Sequence, residues 1–550
     1  MKLYETFCFF LIFLTFPSLC FSQEVWKRVF FDEHDAPPTW QSPVECYDMG
    51  YLVGVRIIQN GESNKSALVK TDINGFERWS RLFEHQNPGL TFSRIKQNEN
   101  GEIFVAGGMR YPGLYSRDPY IMKLNVCGEV EWCRVLHNPF LPLQNSFPQG
   151  LVALPDGGCV IMFLYFSGVF EDRISLARFN SEGDMLWFKP IPRDDANMNS
   201  EDGYDLLYVP DSGFIISGIC GYRDPFHPLP LMWDKPYFIR TDLEGNKLWE
   251  LVPFHETNQS GGQATSTIIK SEGYYYAAAA HWYHDGSNGG TPALIKYNDN
   301  GELLGVYDLV SGYTQGGMKT LRVINDTLLA AGGGWGHSGA MNNYAILFDT
   351  LGNIVDTTLL ESVGSYASYI EKTHDNKLLF YTATKEQGHF DALLFKYNTQ
   401  LQYDSIYNTP LVYDSLCPYP IVSDTIMLDM CELITIMVGN RPVELTDKEK
   451  TQQLEVYPNP AGSYATIKLP ESVSRSGHNG FMTHTTVWHH WIKDATLHVF
   501  NIHGQETHTQ KIPDGQQQLQ LDVSAWPPGI YLLRVKAMNG ITVDGKVVVR

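Results

Sequence analysis

Short apolar segments separated by tight turns recur along most of the chain. One pattern is a strand rich in Val, Ile, Tyr and Phe, an Asp/Asn-x-x-Gly turn and a second strand that often contains tryptophan, as in VKTDINGFERW around Gly75. Turns of this composition between apolar strands are typical of β-hairpins. Six further copies are centred on Gly128, Gly183, Gly245, Gly301, Gly352 and Gln400.

A second turn precedes each copy and is followed by an apolar strand. Examples are Glu99-Asn100-Gly101 before IFVAGG and Asp211-Ser212-Gly213 before FIISGI. Each repeat of about 50 residues therefore holds four strands, a to d, which is the make-up of a β-propeller blade. The sequence predicts an all-β fold in which residues 24–410 form a seven-bladed propeller.

Tryptophan and the chain's first strand indicate how such blades would pack and close. The recurring Trp79, Trp132, Trp187 and Trp249 are predicted to fill the gaps between adjacent blades. Residues 26–30 (WKRVF) match residues 79–83 (WSRLF), so the chain begins with an isolated d-type strand that would complete the last blade. Residues 401–407 also resemble a d strand, which leaves open the strand that closes the ring.

The C-terminal segment, residues 453–550, has a different pattern of short alternating strands, which predicts a small β-sandwich. Its characteristic stretches are VYPNP (456–460), LHVFNIHG (497–504), LDVS (521–524), PGIYLLRV (528–535) and GKVVVR (545–550). In order and spacing it resembles the type A C-terminal sorting domain of the type IX (Por-type) secretion system of Bacteroidota, which has an Ig-like fold. The residues that carry the resemblance are Tyr457, Pro458, Asn459, Pro460, Gly504, Gly529, Tyr531 and Lys546.

The resemblance implies an export label. The type IX machinery would be the partner of this domain, and the product would travel through the periplasm to the outer-membrane surface or be released. Residues 473–493 look like an insertion between strands. They contain His478, His484, His489 and His490, which suggest either a zinc or copper site or a solvated loop. The loop interpretation is preferred, since no carboxylate or cysteine lies at a metal-ligand spacing.

The N-terminus and the connector complete the predicted organisation. Residues 1–22 read as a signal peptide, because Lys2 is followed by an apolar run, Phe7 to Phe16, that is too short to span a bilayer. An uncleaved anchor is the alternative. Residues 411–452 read as a β-rich connector and linker. No other segment is apolar enough for a transmembrane helix.

Seven cysteines remain after the predicted signal peptide, so at least one would stay free or pair between chains. No Cys-x-x-Cys motif occurs, which argues against a zinc ribbon. Cys417 and Cys431 bracket a short β-rich segment of the connector, and the sequence predicts a disulfide between them.

Composition and charge narrow the function. The 550 residues include 41 Lys and Arg and 61 Asp and Glu, which gives a net charge of −20. This balance argues against binding to nucleic acid or to an anionic membrane. No GxSxG, HExxH or Walker motif occurs. GxGxxG at 334–339 lies between β-strands with no helix after it, so no cofactor is predicted.

In a four-stranded blade, the a–b and c–d turns lie at one end and the b–c loops lie at the other with the d–a connections. We call these ends the turn face and the loop face. The loop-face segments are long and rich in aromatic, His, Asp and Arg side chains, as binding loops on a rigid scaffold often are. The candidate binding residues are Arg110, Tyr111, Tyr222, Arg223, His281, Trp282, His284, Trp335 and His337.

The sequence favours a secreted or surface-attached protein that binds a glycan or a protein through the loop face. A propeller hydrolase or lyase acting on polysaccharide at the same face is the alternative, with His281, His284 and Asp285 as an acid/base set or half a metal site. A structural surface-layer component is a third hypothesis. For none of the three hypotheses does the sequence assign a catalytic residue or a metal ligand.

Overall fold

The fold was analysed in a computed structural model. The structure describes residues 25–31, 36–39, 41–59, 62–85, 89–110, 117–137, 148–166, 172–195, 197–223, 232–254, 260–271, 273–283, 290–310, 315–336, 342–361, 368–386, 389–408, 417, 423–428, 431–436, 454–469, 472–479, 482–489, 495–501, 505–536 and 542–550. The predicted signal peptide and most of the linker lie outside these residues. The described part of the chain is built of strands and contains no helix that could cross a membrane.

Seven sheets, each built on four antiparallel strands, form the blades of a propeller. The four strands follow chain order in blades 1 to 6, whereas blade 7 takes its outer strand from the start of the described chain. The sheets of blades 1 and 2 each gain a fifth strand from the connector. The chain enters through β1 (Lys27–Phe30). Blade 1 contains β2 (Val44–Glu45), β3 (Tyr51–Gln59), β4 (Glu62–Thr71) and β5 (Glu77–Glu84). Blade 2 contains β6 (Thr91–Gln97), β7 (Ile103–Arg110), β8 (Arg117–Leu124) and β9 (Val130–His137). Blade 3 contains β10 (Gly150–Ala153), β11 (Cys159–Phe166), β12 (Asp172–Phe179) and β13 (Met185–Pro190).

The remaining blades repeat this order. Blade 4 contains β14 (Met198–Val209), β15 (Gly213–Arg223), β16 (Met232–Thr241) and β17 (Lys247–Leu251). Blade 5 contains β18 (Ser260–Ser271), β19 (Tyr274–Tyr283), β20 (Gly290–Asn298) and β21 (Leu303–Asp308). Blade 6 contains β22 (Gln315–Val323), β23 (Leu328–Gly336), β24 (Asn342–Asp349) and β25 (Ile354–Leu359). Blade 7 contains β26 (Tyr369–Lys372), β27 (Leu378–Glu386) and β28 (His389–Tyr397), with β1 as its outer strand.

The c–d turns explain the Asp/Asn-x-x-Gly repeat. In blade 1 the carboxylate of Asp72 accepts hydrogen bonds from the backbone N–H groups of Asn74 and Phe76, at 2.8 and 2.9 Å. The following Gly75 has φ +75°, a conformation that glycine adopts without a steric penalty. Side chains that accept such bonds stabilise turns locally, which is why this motif could be recognised from sequence.

The repeated tryptophans pack between blades, as predicted. A Cβ added to Gly128 in the blade 2 turn would lie 2.8 Å from the indole of Trp79 in blade 1, and Gly183 stands in the same relation to Trp132. The indole Nε1 of Trp132 also donates to the carbonyl of Ser181, at 2.9 Å. Each indole therefore covers the glycine turn of the next blade, where a side chain would not fit.

Two segments share the closure of the ring. Strand β1 pairs with β28 over Lys27–Phe30, and this makes it the d strand of blade 7. Beside it, residues 403–405 reach the end of β28 through the bridge between Tyr403 and Tyr397 and reach the chain start through the bridge between Ser405 and Val25. The question that the sequence left open is thus answered: the N-terminal strand supplies the outer strand, and residues 403–405 cover its start.

The two strands of the connector add to the propeller and do not pair with each other. Strands β29 (Asp424–Met427) and β30 (Glu432–Thr435) add in parallel to the outer edges of blades 1 and 2, next to β5 and β9. The predicted Cys417–Cys431 disulfide is wrong, since Cys417 pairs with Cys127 and Cys431 with Cys133, at Cα separations of 5.4 and 4.7 Å. Because β29 and β30 run along different blades, the two connector cysteines do not meet. Each of them pairs with a cysteine of blade 2.

The other three cysteines, Cys46, Cys159 and Cys220, are unpaired and buried. Burial raises the pKa of the Cys46 thiol to about 12, which keeps it protonated and unreactive at neutral pH.

The C-terminal segment forms a separate set of small antiparallel sheets. Its strands are β31 (Glu455–Tyr457), β32 (Tyr464–Lys468), β33 (Ser472–Asn479), β34 (Met482–His489), β35 (Ala495–Phe500), β36 (Glu506–Ile512), β37 (Gln518–Asp522), β38 (Gly529–Lys536) and β39 (Thr542–Val549). The sheets β31-β32-β37 and β36-β35-β38-β39 share one apolar core. The inserted histidine-rich residues form the hairpin β33-β34.

Candidate functional site

The predicted binding residues lie where the b strands end, on the loop face. Arg110 ends β7, Tyr222 and Arg223 end β15, His281 and Trp282 lie near the end of β19, and Trp335 lies near the end of β23. Tyr111, His284, His337 and Asp285 lie outside the described residues. Among the described members, no hydrogen bond, ion pair or ring contact joins two that belong to different blades.

Two of these side chains are occupied by packing within their own blade. Tyr222 is 7% exposed and its hydroxyl donates to Asp195 at 2.6 Å. Trp335 is 4% exposed and stacks on Tyr344 with ring centroids 4.1 Å apart. Trp282 and Arg223 retain exposed surface. The loop face therefore offers fewer aromatic rings to a ligand than the sequence suggested.

His281 sits in a closed aromatic and acidic setting. Its Nδ1 lies 2.7 Å from Asp308 Oδ1, and the hydroxyl of Tyr283 donates to the other oxygen of this carboxylate. The ring of Phe254 covers the imidazole at 4.7 Å with an interplanar angle of 8°. A carboxylate at Nδ1 leaves Nε2 as the atom available for proton transfer or metal binding. That Nε2 is buried and has no hydrogen-bond partner among the described residues, so it faces protein instead of solvent.

A second His–Asp pair, on blade 2, has a structural counterpart. His137 Nδ1 lies 2.7 Å from Asp118 Oδ2, between the start of β8 and the end of β9. The equivalent place in blade 1 holds the ion pair of Lys65 with Glu84. An ordinary ion pair fills this position in the neighbouring blade. The His137–Asp118 pair is therefore interpreted as a structural link between strands c and d.

An arginine pair occupies the loop face beside blade 1. Arg110 ends β7, Arg117 begins β8, and the two are direct cross-strand partners. A Cβ at Gly89 would lie 3.2 Å from Nε of Arg117 and 3.5 Å from Nε of Arg110, so both side chains flank the same backbone. Both Nε atoms are buried and have no hydrogen-bond partner among the described residues. Like charges in directly opposite positions destabilise a sheet unless something offsets them.

Among the described residues of blade 2, no acidic side chain is paired with either arginine. Asp118 is fully buried and is bound to His137, and the connecting residues 111–116 contain no Asp or Glu. Arg56 of β3 adds positive charge from blade 1: burial, then the charges of Arg110 and Arg56, lower the pKa of the Arg117 guanidinium. Sequence reasoning named Arg110 but missed Arg56 and Arg117, because it selected loops by their aromatic and histidine content.

The described residues contain no group of three or more His, Cys, Asp or Glu side chains placed to hold a metal ion. His478, His484 and His489 lie on the inserted hairpin, and His490 lies outside the described residues.

In the C-terminal domain, the YPNP motif docks on the last strand. Asn459 donates through its amide to the carbonyl of Lys546 at 3.1 Å and accepts from the N–H of Val548 at 2.8 Å. Ala461 then bonds to Val548 and Arg550 through the backbone. Tyr457 remains 45% exposed. The hydroxyl of Tyr531 donates to the carbonyl of Pro527. Gly504 lies outside the described residues. The first and last motifs of the resemblance therefore form one contact.

Replacing Asn459 by alanine is expected to loosen this contact by about 1–2 kcal/mol, because it leaves a backbone donor and an acceptor without their partner. Amide hydrogen exchange at Val548 in the full chain should accelerate about 5- to 30-fold. Asn459→Asp retains an acceptor for Val548 and should show a smaller acceleration. Equal exchange in the wild type and Asn459→Ala would contradict the role of this side chain.

Comparison with known proteins assigns the C-terminal segment. Residues 455–550 match the family model described as "Secretion system C-terminal sorting domain". No curated protein matches the sequence.

Three solved structures align with the chain at 11–12% identity and with TM-scores below 0.5. An ulvan lyase from a new family of polysaccharide lyases aligns with 68% of this chain and 96% of its own, with a TM-score of 0.44. A protein of unknown function from Dyadobacter fermentans DSM 18053 aligns with 56% of this chain and 96% of its own, with a TM-score of 0.38. The α-L-arabinofuranosidase Arb93A from Fusarium graminearum aligns with 57% of this chain and 96% of its own, with a TM-score of 0.35.

The family match covers the same segment whose sequence resembles the sorting domain. Residues 455–550 are a type IX secretion sorting domain, and the protein is exported by that system to the cell surface or the extracellular space.

Proposed function

We propose that the exported propeller binds an acidic glycan through its loop face, beside blades 1 and 2. The observation that carries the proposal is the cross-strand pair of Arg110 and Arg117, which no described carboxylate neutralises. A carboxylate or sulfate group of a sugar would supply the missing charge. Guanidinium groups suit this role because their donors match the planar geometry of such anions.

The charge of the whole protein strengthens the argument from the arginine pair. With a net charge of −20, the protein repels polyanions in general, so an acidic ligand needs a local site of opposite sign. Arg56, Arg110 and Arg117 provide such a site on the loop face. Trp282, on blade 5 of the same face, is partly exposed, and an indole is a side chain that can lie against a sugar.

A matched pair of polymers tests the proposal. The full-length protein should bind polygalacturonate and dextran sulfate, and bind fully methyl-esterified galacturonan and dextran at least tenfold more weakly, as measured by biolayer interferometry at fixed ionic strength. Hydrogen bonds to a charged group contribute about 1.5–3 kcal/mol each, so Arg110→Gln or Arg117→Gln should weaken binding by about 10- to 100-fold.

Arg178→Gln serves as the control, because it removes the same charge from an ion pair with Asp156 at the turn-face end of blade 3. It should bind like the wild type. Equal binding of the charged and uncharged polymers, or equal losses in the control and in Arg117→Gln, would reject the proposal.

The enzyme hypothesis is separated from binding by product analysis. Incubation of the same polymers with the protein should leave their chain length unchanged on size-exclusion chromatography, since His281 Nε2 is buried beneath Phe254. Depolymerisation that is lost in His281→Ala would replace the binding function by catalysis.

A further inference from the structure

Each strand of the connector fills the seam between two adjacent blades. Strand β29, on the outer edge of blade 1, places Ile426 and Leu428 against the apolar core between blades 1 and 2. Strand β30, on the outer edge of blade 2, places Ile434 and Ile436 against the core between blades 2 and 3. An added strand therefore packs apolar side chains between its own blade and the next one.

Each connector strand also begins with an acid that binds an arginine of the blade. Asp424 forms an ion pair with Arg81, its register partner on β5. Glu432 forms an ion pair with Arg134, its register partner on β9, at 3.4 Å. Both strands share the pattern acid-x-Ile-x-Leu/Ile, in DTIML (424–428) and ELITI (432–436). The acid fixes the register, and alternate apolar side chains then enter the seam.

The outer strand of blade 7 has an arginine at the corresponding position. Residues 26–28 (WKR) of β1 match residues 79–81 (WSR) of β5 and residues 132–134 (WCR) of β9. The corresponding residues of blades 3 to 6 are Lys189, Leu251, Tyr307 and Thr358. Arg28 is thus the third arginine of this set.

The Arg28 side chain extends towards the next blade as Arg134 does. Its guanidinium lies 4.1 Å from the ring of Phe76, in the c–d turn of blade 1. Arg134 reaches the same turn of blade 3 by donating to the carbonyl of Gly183 at 3.0 Å. Both arginines also donate to the carbonyl of the residue before them, and Arg134 binds Glu432 all the same. These local contacts are therefore compatible with the binding of an acid by Arg28.

The seam between blades 7 and 1 contains a cavity of about 320 Å³. Its apolar wall is formed by Phe31, which follows β1, and by Ile57, Ala67 and Leu82 of blade 1. Pockets that bind ligands have volumes from about 300 Å³ upwards. The cavity therefore offers apolar surface at a seam of the kind that connector side chains fill on the next two blades.

The backbone edge beside this cavity is available for a further strand. Within the described residues, β1 has only β28 beside it in its sheet. The closing residues 403–405 lie at the start of β1, where Ser405 bridges to Val25, and Tyr407 continues to Asn74 in the c–d turn of blade 1. An edge strand presents N–H and C=O groups that can pair with an added segment.

We propose that the outer edge of blade 7 binds an extended segment of a partner protein with the pattern acid-x-Ile-x-Leu/Ile. The segment adds to β1 in parallel, its acid binds Arg28, and its apolar side chains fill the cavity between blades 7 and 1. The two connector strands are an established interface of the same kind, and Arg28 determines the charge of the partner. The site lies on the rim of the ring, apart from the arginine pair of the loop face.

A labelled peptide tests the site on the full-length protein. The peptide SDTIMLD, a copy of residues 423–429, should bind saturably in fluorescence anisotropy. Within the peptide, Asp424→Asn should weaken binding about tenfold, because it removes a charge-assisted hydrogen bond. Ile426→Ser in the peptide should weaken binding by a similar factor, because it removes apolar surface from the cavity.

Variants of the protein locate the binding edge. Arg28→Gln should weaken binding of the unmodified peptide about tenfold and should remove the difference between this peptide and its Asp424→Asn form. Lys189→Gln is the matched control, because it removes a cation from the corresponding position of blade 3 and should bind like the wild type. The peptide should also slow amide hydrogen exchange in Lys27–Phe30.

Three results would overturn the proposal. They are equal losses in Arg28→Gln and Lys189→Gln, exchange in β1 that does not respond to the peptide, and a dimer in sedimentation velocity that Arg28→Gln dissociates. The last result would assign the edge to a second copy of this chain. Arg117→Gln should leave peptide binding unchanged, so the outcome does not depend on the glycan proposal.

Discussion

Replacing Trp26 by alanine is expected to lower the free energy of unfolding of the propeller by about 3–5 kcal/mol, the usual cost of removing a buried aromatic side chain. Trp26 is 0% exposed and its Nε1 donates to the carbonyl of Ile73 at 2.8 Å. Its ring contacts Tyr51 edge-on at 5.8 Å and covers Gly75, which belongs to the turn of blade 1. The indole thus joins the blade formed by the last repeat to the blade formed by the first.

The seam between blades 7 and 1 makes this position more sensitive than its repeats. All other blades follow one another along the chain, whereas this seam depends on the pairing of β1 with β28 and on the packing of Trp26. Equilibrium denaturation monitored by tryptophan fluorescence and circular dichroism measures the loss. Leu186→Ala is the control, because Leu186 is 53% exposed on β13 and should change stability by less than about 0.5 kcal/mol. Similar losses in both variants would contradict the closing role of Trp26.

The propeller could be predicted from the sequence because the motifs that form its blades are local and repeated. The turn around Asp72 and Gly75 contains the side chain that accepts its hydrogen bonds. In every strong copy a tryptophan follows the turn glycine at the same spacing, as Trp79 follows Gly75. These signals identify a blade without knowledge of its neighbours. The strand that closes the ring could be predicted only in part. The match between residues 26–30 and 79–83 indicates a d strand, but it does not exclude residues 401–407 as the closing strand.

The features that sequence reasoning missed depend on contacts between distant residues. Cys417 and Cys431 are close in sequence, yet β29 and β30 add to different blades and separate them. Arg110 and Arg117 are seven positions apart in sequence, and only the strand register shows that they face each other.

Removing both disulfides of the connector is expected to destabilise the propeller by about 8 kcal/mol, and removing either one by about 3 kcal/mol, in the chain-entropy model. Cys127–Cys417 and Cys133–Cys431 span 290 and 298 residues. While one bridge remains, the other closes a loop of only about 20 residues, so a single loss is modest. The second loss also releases the long loop, and the double variant should exceed the sum of the two single variants by about 2 kcal/mol.

Cysteine-to-alanine variants at Cys417 and Cys431, singly and together, give this comparison by chemical denaturation of the full chain under non-reducing conditions. Cys159→Ala is the control for removing a buried thiol that forms no bridge. The double variant should also lose hydrogen-exchange protection in β29 and β30, because these strands are attached to β5 and β9 only along one edge. A double variant no less stable than either single one, or a peptide map that links Cys417 directly to Cys431, would show that the connector is not fastened to blade 2. With both bridges intact, the connector stays attached to blades 1 and 2 through its own strands. The propeller therefore retains the connector even when the chain beyond Ile436 is removed.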